Sequence, residues 1–393
     1  MSLEARLIDK LSRIVGSGQI LTDPAHLDEV SWDALSEGRM HPLRRPNASA
    51  PLCVVLPAST AEVREIILLA NEDRVPVVPY GGGSGLMGGA LSLQTGIVLD
   101  LRRMDGVLEV DKGARLARVQ AGIVLEALEK RLNKNELILG HDPWTLPVAT
   151  VGGAISTNSM GYRGGKYGSM GDQVLGMEAV LPNGEILRTR SVPKSSTGIS
   201  LKHLFIGGEG CFGIITEATL RVFPLPEKRS LDAFRFASFE EGFTAIQKIF
   251  ARGLNPALID FGDDAAKVHG GAVLYLALEG TREVVEAEER LTLAICDEGR
   301  GRRLSQEEAE SFWRERHVIA YHFMHNRRLR RERGSAPIRR DWIHVALPAS
   351  KVLAFRRAAM KVVSKRGVRL QESGLWTQPE LFSMRLATEE MRV

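Results

Sequence analysis

Apolar runs and amphipathic stretches alternate through the first part of the chain. Cys53–Leu56 and Val75–Val78 are short apolar runs, and they predict two buried strands. Between them, Ser59 or Thr60 caps a predicted helix over about 61–71. This order of strand, helix and strand predicts a βαβ-like unit.

The pattern then changes to paired strands. Short apolar runs on both sides of Asp111-Lys-Gly113, and again on both sides of Pro182-Asn-Gly184, predict two hairpins. A run from Ile214 to Phe223 predicts a further strand, which Pro224-Leu-Pro226 ends. These prolines are typical of a domain boundary.

Strands and helices alternate again beyond the prolines. Helices are predicted over Phe239–Arg252, Arg282–Asp297 and Lys351–Arg366, with strands between them. That order is typical of helices packed over one antiparallel sheet. The predicted fold class is α+β, with a first domain over residues 1–226 and a second over 227–393.

Bulk composition narrows the class of protein. A length of 393 residues allows two or three domains, and a net charge of +4 is too small to indicate nucleic-acid binding by itself. The three cysteines are few and far apart, so we expect no disulfide framework and a cytoplasmic location. The first residues predict an amphipathic helix and lack the apolar core of a signal peptide.

The segment Pro79–Gly89 carries the first chemical signal. Five of the eight residues from Gly81 to Gly88 are glycine, directly after a predicted strand. Such a loop lets backbone N–H groups wrap an anion, most often a pyrophosphate. Its glycine spacing matches the Rossmann fingerprint, but Ala90–Thr95 is too short for the helix that this fingerprint requires. We therefore expect a dinucleotide in a different frame, with a plain glycine-rich connection as the alternative.

Three later segments share this character: Gly140–Gly153, Ser156–Gly161 and Ile206–Glu217. Each mixes glycine with small hydroxyl or amide side chains, which suits the close approach of a large, flat, polar ligand. One such segment is weak support, whereas four in order within one domain are hard to explain by turns alone.

On these four motifs the chain resembles the flavoprotein family of vanillyl-alcohol oxidase and p-cresol methylhydroxylase. The resemblance is closest to the branch of FAD-linked D-2-hydroxy-acid (D-lactate and glycolate) dehydrogenases and alkyl-dihydroxyacetonephosphate synthase. It implies an FAD-binding domain of two α+β subdomains and a substrate-binding cap with an antiparallel sheet and flanking helices. It also implies FAD, held without a covalent bond, since the first loop has no His, Cys or Tyr except Tyr80.

The resemblance assigns cofactor contacts to individual residues of the four motifs. The loop around the FAD pyrophosphate is matched by Gly81, Gly82, Gly83, Ser84 and Gly85. The segment along the ribityl chain and isoalloxazine is matched by Pro143, Trp144, Thr145, Thr150, Val151, Gly152 and Gly153. The next flavin turn is matched by Ser156, Asn158, Ser159 and Gly161, and the adenosine end by Glu209, Gly210, Ile214 and Ile215.

The reaction that the resemblance implies is hydride transfer from a D-2-hydroxy acid to the flavin, with a base for the hydroxyl proton and a cation for the carboxylate. In the segment Phe312–His317, Arg316 is the candidate cation and His317 the candidate base. A helix with a solvated charged face is the alternative interpretation.

Two departures from the family keep other functions open. A histidine-rich motif near the C-terminus and the last stretch of the family are missing, so we expect a truncated or divergent member. Asp260 stands where the synthase-like branch tends to have an arginine, which weakens the synthase interpretation. The alternatives are a synthase-like transferase and a flavin-bearing, non-catalytic subunit of a larger oxidase complex.

A basic cluster, Arg327–Arg333 with Arg339 and Arg340, has three interpretations: a solvated loop, an attractor for an acidic substrate, or a peripheral contact with the inner face of the membrane. No aromatic platform accompanies it, so nucleic acid is not expected. His322 and His325 lack a third ligand, and no metal is expected. The expected partners are a hydroxy-acid substrate, an electron acceptor, and a second copy or a partner subunit.

Overall fold

The computed structural model describes residues 3–35, 51–263, 271–324 and 339–388. The chain divides into two compact units. The first comprises residues 1–139, 145–159 and 169–224, and the second comprises 140–144, 160–168 and 225–393. Both mix helices with sheets, so the predicted α+β class is confirmed. The FAD-binding role of residues 1–226 and the cap role of 227–393 stay predictions.

The regular elements follow one another closely along the described chain. The helices are α1 Leu3–Val15, α2 Pro24–Val30, α3 Thr60–Asp73, α4 Leu125–Asn133, α5 Val151–Ser156, α6 Gly164–Tyr167, α7 Met170–Gln173, α8 Lys202–Phe205, α9 Phe239–Ala251, α10 Arg282–Glu298, α11 Gln306–Glu315 and α12 Ala349–Lys365. The strands are β1 Ile20–Leu21, β2 Cys53–Val55, β3 Val77–Tyr80, β4 Ile97–Asp100, β5 Val107–Asp111, β6 Leu116–Gln120, β7 Leu137–Ile138, β8 Val174–Val180, β9 Ile186–Arg188, β10 Ile214–Arg221, β11 Phe223–Pro224, β12 Lys228–Phe236, β13 Leu258–Gly262, β14 Ala272–Gly280, β15 Arg302–Arg303, β16 Arg339–Ala346, β17 Arg369–Trp376 and β18 Leu381–Thr388.

The first unit begins with a four-stranded sheet in the order β1-β2-β4-β3. Strands β2, β4 and β3 run parallel, as the predicted βαβ unit requires. Helix α3 starts where the Ser59 hydroxyl accepts the Glu62 N–H, and its buried Val63 and Ile66 pack in the same core as Cys53. The sheet is thus held to its helix by ordinary apolar burial.

A second sheet of the first unit is antiparallel, in the order β5-β6-β10-β8-β9. Strands β8 and β9 form the predicted hairpin, and Gly184 adopts a φ of 82° in its turn. Helices α4 and α5 contribute to the core that this sheet buries, through Leu128 and Ile155 among others. The two sheets correspond to the two predicted α+β subdomains.

The second unit is built on one seven-stranded antiparallel sheet, in the order β15-β12-β14-β13-β17-β18-β16. Helices α9, α10 and α12 share its main core, in which the largest buried side chains include Phe234, Phe243 and Phe382. A smaller cluster joins Tyr162 to Leu258 of the sheet. Helices over one antiparallel sheet are what the sequence pattern predicts for this half.

Candidate functional site

The glycine loop of the first unit follows β3 and runs into β4 without a helix between them. This agrees with the sequence-based exclusion of a Rossmann frame. Gly81 and Gly82 lie directly against residues 148–150: a Cβ on Gly81 would collide with the Thr150 hydroxyl, and one on Gly82 with the Val148 carbonyl. The structure therefore brings the first two predicted motifs together, and only glycine fits at the contact.

The turn into α5 is fixed by its own hydrogen bonds. The Thr150 hydroxyl accepts the N–H of Gly153 at 3.2 Å, and the Gly152 N–H donates to the Ala121 carbonyl at 2.7 Å. Val151 is fully buried, whereas Gly153 is exposed. The predicted residues of this turn thus present backbone and a hydroxyl, rather than bulky side chains, beside the glycine loop.

The third and fourth motifs also meet within the first unit. The N–H of Glu209 donates to the Ser156 carbonyl at 2.9 Å, and the Asn158 side chain accepts the N–H of Gly171 at 3.0 Å. Asn158 and Glu209 both have left-handed backbones, with φ of 45° and 46°. A Cβ on Gly89 would collide with the Glu209 carboxylate, so this motif also reaches the glycine loop.

Within the fourth motif, Glu209 offers a carboxylate, whereas Ile214 and Ile215 have buried apolar side chains. Burial, and then the charge of Asp33, raise the pKa of Glu209. Ile214 and Ile215 open β10, and both side chains are buried in hydrophobic cores of the first unit. A cofactor role for these two isoleucines would therefore rest on their main chain. The adenosine-end assignment stays a prediction.

Some of the predicted cofactor residues belong to the second unit. Pro143, Trp144 and Gly161 lie there, whereas Thr145 lies in the first. A Cβ on Gly161 would come within 2.5 Å of the Asp142 N atom, and the N–H of Tyr162 donates to the Asp142 carbonyl at 2.7 Å. The segments 140–144 and 160–168 are therefore held together around Asp142.

Asp142 is the centre of a charged cluster in the second unit. Its Oδ1 lies 2.7 Å from Nε2 of His317, and its Oδ2 lies 2.9 Å from Nε of Arg316. Its side chain is only 1% exposed. Burial alone would raise the pKa of Asp142, but the hydrogen bond from His317 and the charges of Arg316 and Arg163 hold that pKa below its usual range.

Arg316 and His317, the candidate cation and base, thus both contact the buried carboxylate of Asp142. Asp142 was not among the predicted site residues. Asp142 stands inside the second glycine-rich motif, beside His141, and this position is the only signal that the sequence offers for it. Burial lowers the pKa of His141 to about 4, against a smaller opposing effect of the Asp142 charge. His141 is therefore neutral near pH 7.

Arg316 is held in place by more than Asp142. Its Nη1 donates to the Trp313 carbonyl, and its guanidinium lies 3.8 Å from the centre of the Trp313 ring. Arg229 lies over the same ring at 4.3 Å and also pairs with the buried Glu279 at 2.8 Å. Arg316 is therefore a rigid group rather than a solvated side chain.

Glu279 carries a second ion pair, because Nε of Arg163 lies 3.1 Å from its Oε1. Both side chains are almost completely buried. Across the cluster, three guanidinium groups (Arg163, Arg229 and Arg316) face two carboxylates, and protonation of His317 would add a further positive charge. The cluster therefore suits an anionic ligand.

Several predicted residues lie outside both the glycine-rich motifs and the charged cluster around Asp142. The cluster Arg327–Arg333 and His325 lie outside the described residues, while Arg339 and Arg340 open β16. Within the described ranges, no group of three or more His, Cys, Asp or Glu side chains is arranged to hold a metal ion. No helix among the same residues is long and apolar enough to cross a membrane.

The parts of the four glycine-rich motifs that lie in the first unit, here called the cradle, fit FAD. Its four segments contribute backbone N–H groups, small hydroxyls and an amide, and the glycines at their contacts leave no room for larger side chains. Backbone N–H groups of this kind neutralise a pyrophosphate without a metal ion. The assignment of FAD contacts to individual residues stays a prediction from the resemblance.

Comparison with known proteins also indicates an FAD-binding protein. Residues 51–190 match the family model of an FAD binding domain, and residues 225–375 match that of the C-terminal domain of FAD linked oxidases. The glycolate oxidase subunit GlcD of Bacillus subtilis is 34% identical over 264 residues, covering 64% of this chain and 56% of that protein. The D-lactate dehydrogenase of Anaerostipes hadrus is 37% identical over 237 residues, covering 59% of this chain and 50% of that protein.

The chain therefore spans about half the length of these two relatives. Among solved structures, an alkyldihydroxyacetonephosphate synthase superposes with a TM-score of 0.84 over 98% of this chain and 77% of its own, at 23% identity, which supports the fold alone. These matches confirm the resemblance seen in the four motifs. The chain belongs to the family of FAD-linked oxidoreductases that combines these two domains.

Proposed function

We propose that this protein is an FAD-dependent oxidoreductase that oxidises a D-2-hydroxy acid to the corresponding 2-oxo acid. The observation that carries the proposal is the contact of His317 and Arg316 with the buried carboxylate of Asp142. A histidine oriented by a buried carboxylate is a common form of general base. The names of two relatives, a glycolate oxidase subunit and a D-lactate dehydrogenase, supply the substrate class.

His317 is the base of the proposed reaction. Its Nε2 faces Asp142, so in the neutral ring this nitrogen carries the hydrogen and donates it to the carboxylate. That leaves Nδ1 as an acceptor, and among the described residues no hydrogen bond occupies it. The hydroxyl proton of the substrate moves to Nδ1, and the ionised Asp142 stabilises the imidazolium that results.

Bound FAD supplies the acceptor for the hydride that leaves C2 of the substrate, and the C–O bond becomes a carbonyl. Arg316 keeps Asp142 ionised and fixed, because its Nε bonds the carboxylate while Trp313 holds the rest of the guanidinium. Among the described residues no hydrogen bond engages its Nη2, which would bind the substrate carboxylate. This contact would involve Nη2 alone, since Nε and Nη1 are engaged.

FAD itself is proposed to lie against the glycine-rich motifs of the first unit, without a covalent bond. The glycine contacts support the pyrophosphate assignment, since a Cβ at Gly81 or Gly82 would collide with residues 148–150. Tyr80, the only tyrosine beside the loop, is 3% exposed and packs in an apolar cluster with Val98, which supports non-covalent binding.

The test is the visible spectrum of the purified protein before and after anaerobic addition of D-lactate, glycolate and longer D-2-hydroxy acids. Bleaching of a yellow protein by at least one acid would support the proposal. A yellow protein that none of them bleaches would contradict it and favour a synthase-like transferase or a non-catalytic subunit. A colourless protein that takes up no added FAD would contradict the cofactor assignment as well.

A further inference from the structure

Helix α12 carries charge of one sign along its exposed side. It has no acidic residue, and its basic residues are Lys351, Arg356, Arg357, Lys361 and Lys365. Arg356 is buried and pairs with two carboxylates of the second unit, whereas the other four are exposed. Among the described residues, no ion pair engages these four side chains. The exposed side of α12 is therefore uniformly basic.

Three of the exposed cations form a ridge. Arg357, Lys361 and Lys365 follow one another at four-residue spacing, so their side chains lie along one line of the helix. Like charges at this spacing destabilise a helix. Met360 and Val362 lie on either side of the ridge and are 36% and 54% exposed. An uncompensated ridge with exposed apolar residues beside it indicates a surface for an acidic partner.

Helix α10, which has the same length, has the opposite balance of charge. Its basic residues are Arg282 and Arg290, and its acidic residues are Glu283, Glu286, Glu288, Glu289, Asp297 and Glu298. Glu283 and Asp297 are exposed, and within the described part of the chain neither makes an ion pair. Val284 and Leu291 of the same helix are also exposed. Helix α10 thus offers the acidic and apolar groups that complement α12.

Both helices lie on the same face of the seven-stranded sheet, with α9 between them, because buried residues of all three pack in one core. Lys248 of α9 pairs with Glu298 of α10 at 3.6 Å. The Phe239 ring of α9 lies 4.3 Å from the guanidinium of Arg356 in α12. The aromatic cluster around Tyr162 contains residues of the opposite face of the sheet. Helices α9, α10 and α12 are here called the helical layer.

The two charges within one layer restrict the kind of partner. An anionic membrane would attract α12 but repel α10. A second copy of the chain, related by a two-fold axis along α9, would place α10 of each protomer on α12 of the other. With helices about 25 Å long and roughly 9–10 Å apart, the layer covers on the order of 700 Å², near the roughly 800 Å² that each partner buries in a standard interface.

We propose that the helical layer is a homodimer interface, in which the basic ridge of α12 binds the acidic helix α10 of a second copy. The contact is isologous, so each dimer contains it twice. It requires neither FAD nor a hydroxy acid, and failure of the proposed reaction would leave it standing.

The first test is sedimentation velocity of the purified protein over a range of concentrations. We expect a dimer at low salt, with a dissociation constant that rises in about 0.5 M NaCl because screening weakens the attraction between the helices. A wild-type protein that stays monomeric at low salt up to about 0.1 mM would overturn the proposal.

Charge reversal on either helix tests the contact itself. Arg357→Glu/Lys361→Glu and, separately, Glu283→Lys/Asp297→Lys should each raise the dissociation constant of the dimer at least about tenfold. All four positions are exposed, so circular dichroism and flavin content should match those of the wild type. The control Arg131→Glu/Lys134→Glu reverses two exposed cations of the first unit and should leave dimerisation unchanged.

A mixture of the two charge-reversed variants identifies the partner. Their heterodimer keeps one unaltered contact between α10 and α12, so the mixture should dimerise more tightly than either variant alone. A mixture no tighter than its components would contradict the proposal. Wild-type protein that sediments as a monomer but pellets with anionic phospholipid vesicles, and not with neutral ones, would overturn it in favour of a membrane surface.

Discussion

Nε2 of His317 lies 2.7 Å from Oδ1 of Asp142, a contact between residues 175 positions apart in the chain. The carboxylate is almost completely buried, and the pKa of Asp142 is held below its ordinary value. It therefore stays ionised throughout the neutral range. A fixed charge beside one nitrogen of an imidazole sets the tautomer and leaves the other nitrogen to accept a proton.

Removal of this base should slow the reduction of the flavin. In His317→Gln we expect the rate of flavin reduction by a bleaching D-2-hydroxy acid to fall on the order of 100-fold or more, with Asp142→Asn also impaired because the tautomer is lost. Stopped-flow absorbance under anaerobic conditions measures this rate.

The matched control is His26, whose Nδ1 lies 2.7 Å from Asp23 in an exposed pair of the first unit. His26→Gln should reduce its flavin at the wild-type rate. Wild-type rates in His317→Gln would rule out His317 as the base.

Burial of His141 predicts a loss of stability in mild acid. Its pKa falls from the ordinary 6.5 to about 4, so the unfolded chain binds a proton that the folded chain does not bind between those values. Stability is therefore complete above about pH 6.5 and falls as the pH drops towards 4, by roughly 3 kcal/mol for this group. Urea unfolding at a series of pH values measures the slope.

In His141→Gln the fall in the free energy of unfolding between about pH 6.5 and pH 4 should lose the contribution of this residue. His203→Gln changes an exposed histidine and should keep the wild-type pH dependence. An unchanged slope in His141→Gln would show that another group governs the acid sensitivity.

The buried ion pairs of Glu279 should be expensive to break. Glu279→Gln leaves the nearly buried Arg163 without its full countercharge, and we expect a loss of about 3 kcal/mol in the free energy of unfolding. Glu126→Gln, which removes the half-buried partner of the exposed Lys130 at i,i+4 spacing, should cost less than about 0.5 kcal/mol. Equal effects of the two changes in urea unfolding would mean that the Glu279 pairs contribute no more than a surface pair.

The glycine loop should not tolerate a methyl group at its closest contact. Gly82→Ala would drive a Cβ into the Val148 carbonyl, so we expect a loss of about 1–3 kcal/mol and a lower flavin content after purification. Gly18→Ala adds a Cβ where nothing lies within 4 Å and should leave both quantities unchanged. Full flavin content and wild-type stability in Gly82→Ala would contradict the assignment of this contact.

If FAD is bound without a covalent bond, denaturation should release it from the protein. After denaturation in acid or by heat and removal of the protein by centrifugation, the yellow colour should be in the supernatant, because no bond joins the flavin to a side chain. A flavin that stays with the pelleted protein would identify a covalent link that the sequence did not reveal.

Local features of the sequence predicted much of the first unit. The strand–helix–strand unit follows from short apolar runs around one capped helix, and the short Ala90–Thr95 stretch excludes a crossover helix. Helices α5 and α7 were not predicted, because six and four residues are too few to show a helical period. Strand β17 was also missed, since its register shift between Leu370 and Glu372 interrupts the alternation.

The candidate catalytic cluster depended on contacts that no local pattern encodes. Arg316 and His317 were found from their residue types, but their partner Asp142 lies in a distant motif whose glycines drew attention to the cofactor. Arg316 was expected to hold a substrate carboxylate, and the structure gives its Nε a carboxylate of the protein instead. Residue type thus singled out Arg316 and His317, whereas their shared contact with the buried Asp142 is visible only in the structure.

The most direct test of the proposed function is the anaerobic absorption spectrum of the yellow wild-type protein with D-lactate and, in parallel, with L-lactate. We expect D-2-hydroxy acids to bleach the flavin band and the L enantiomers to leave it unchanged. A flavin band that no D-2-hydroxy acid removes, in a protein that retains its FAD, would contradict it.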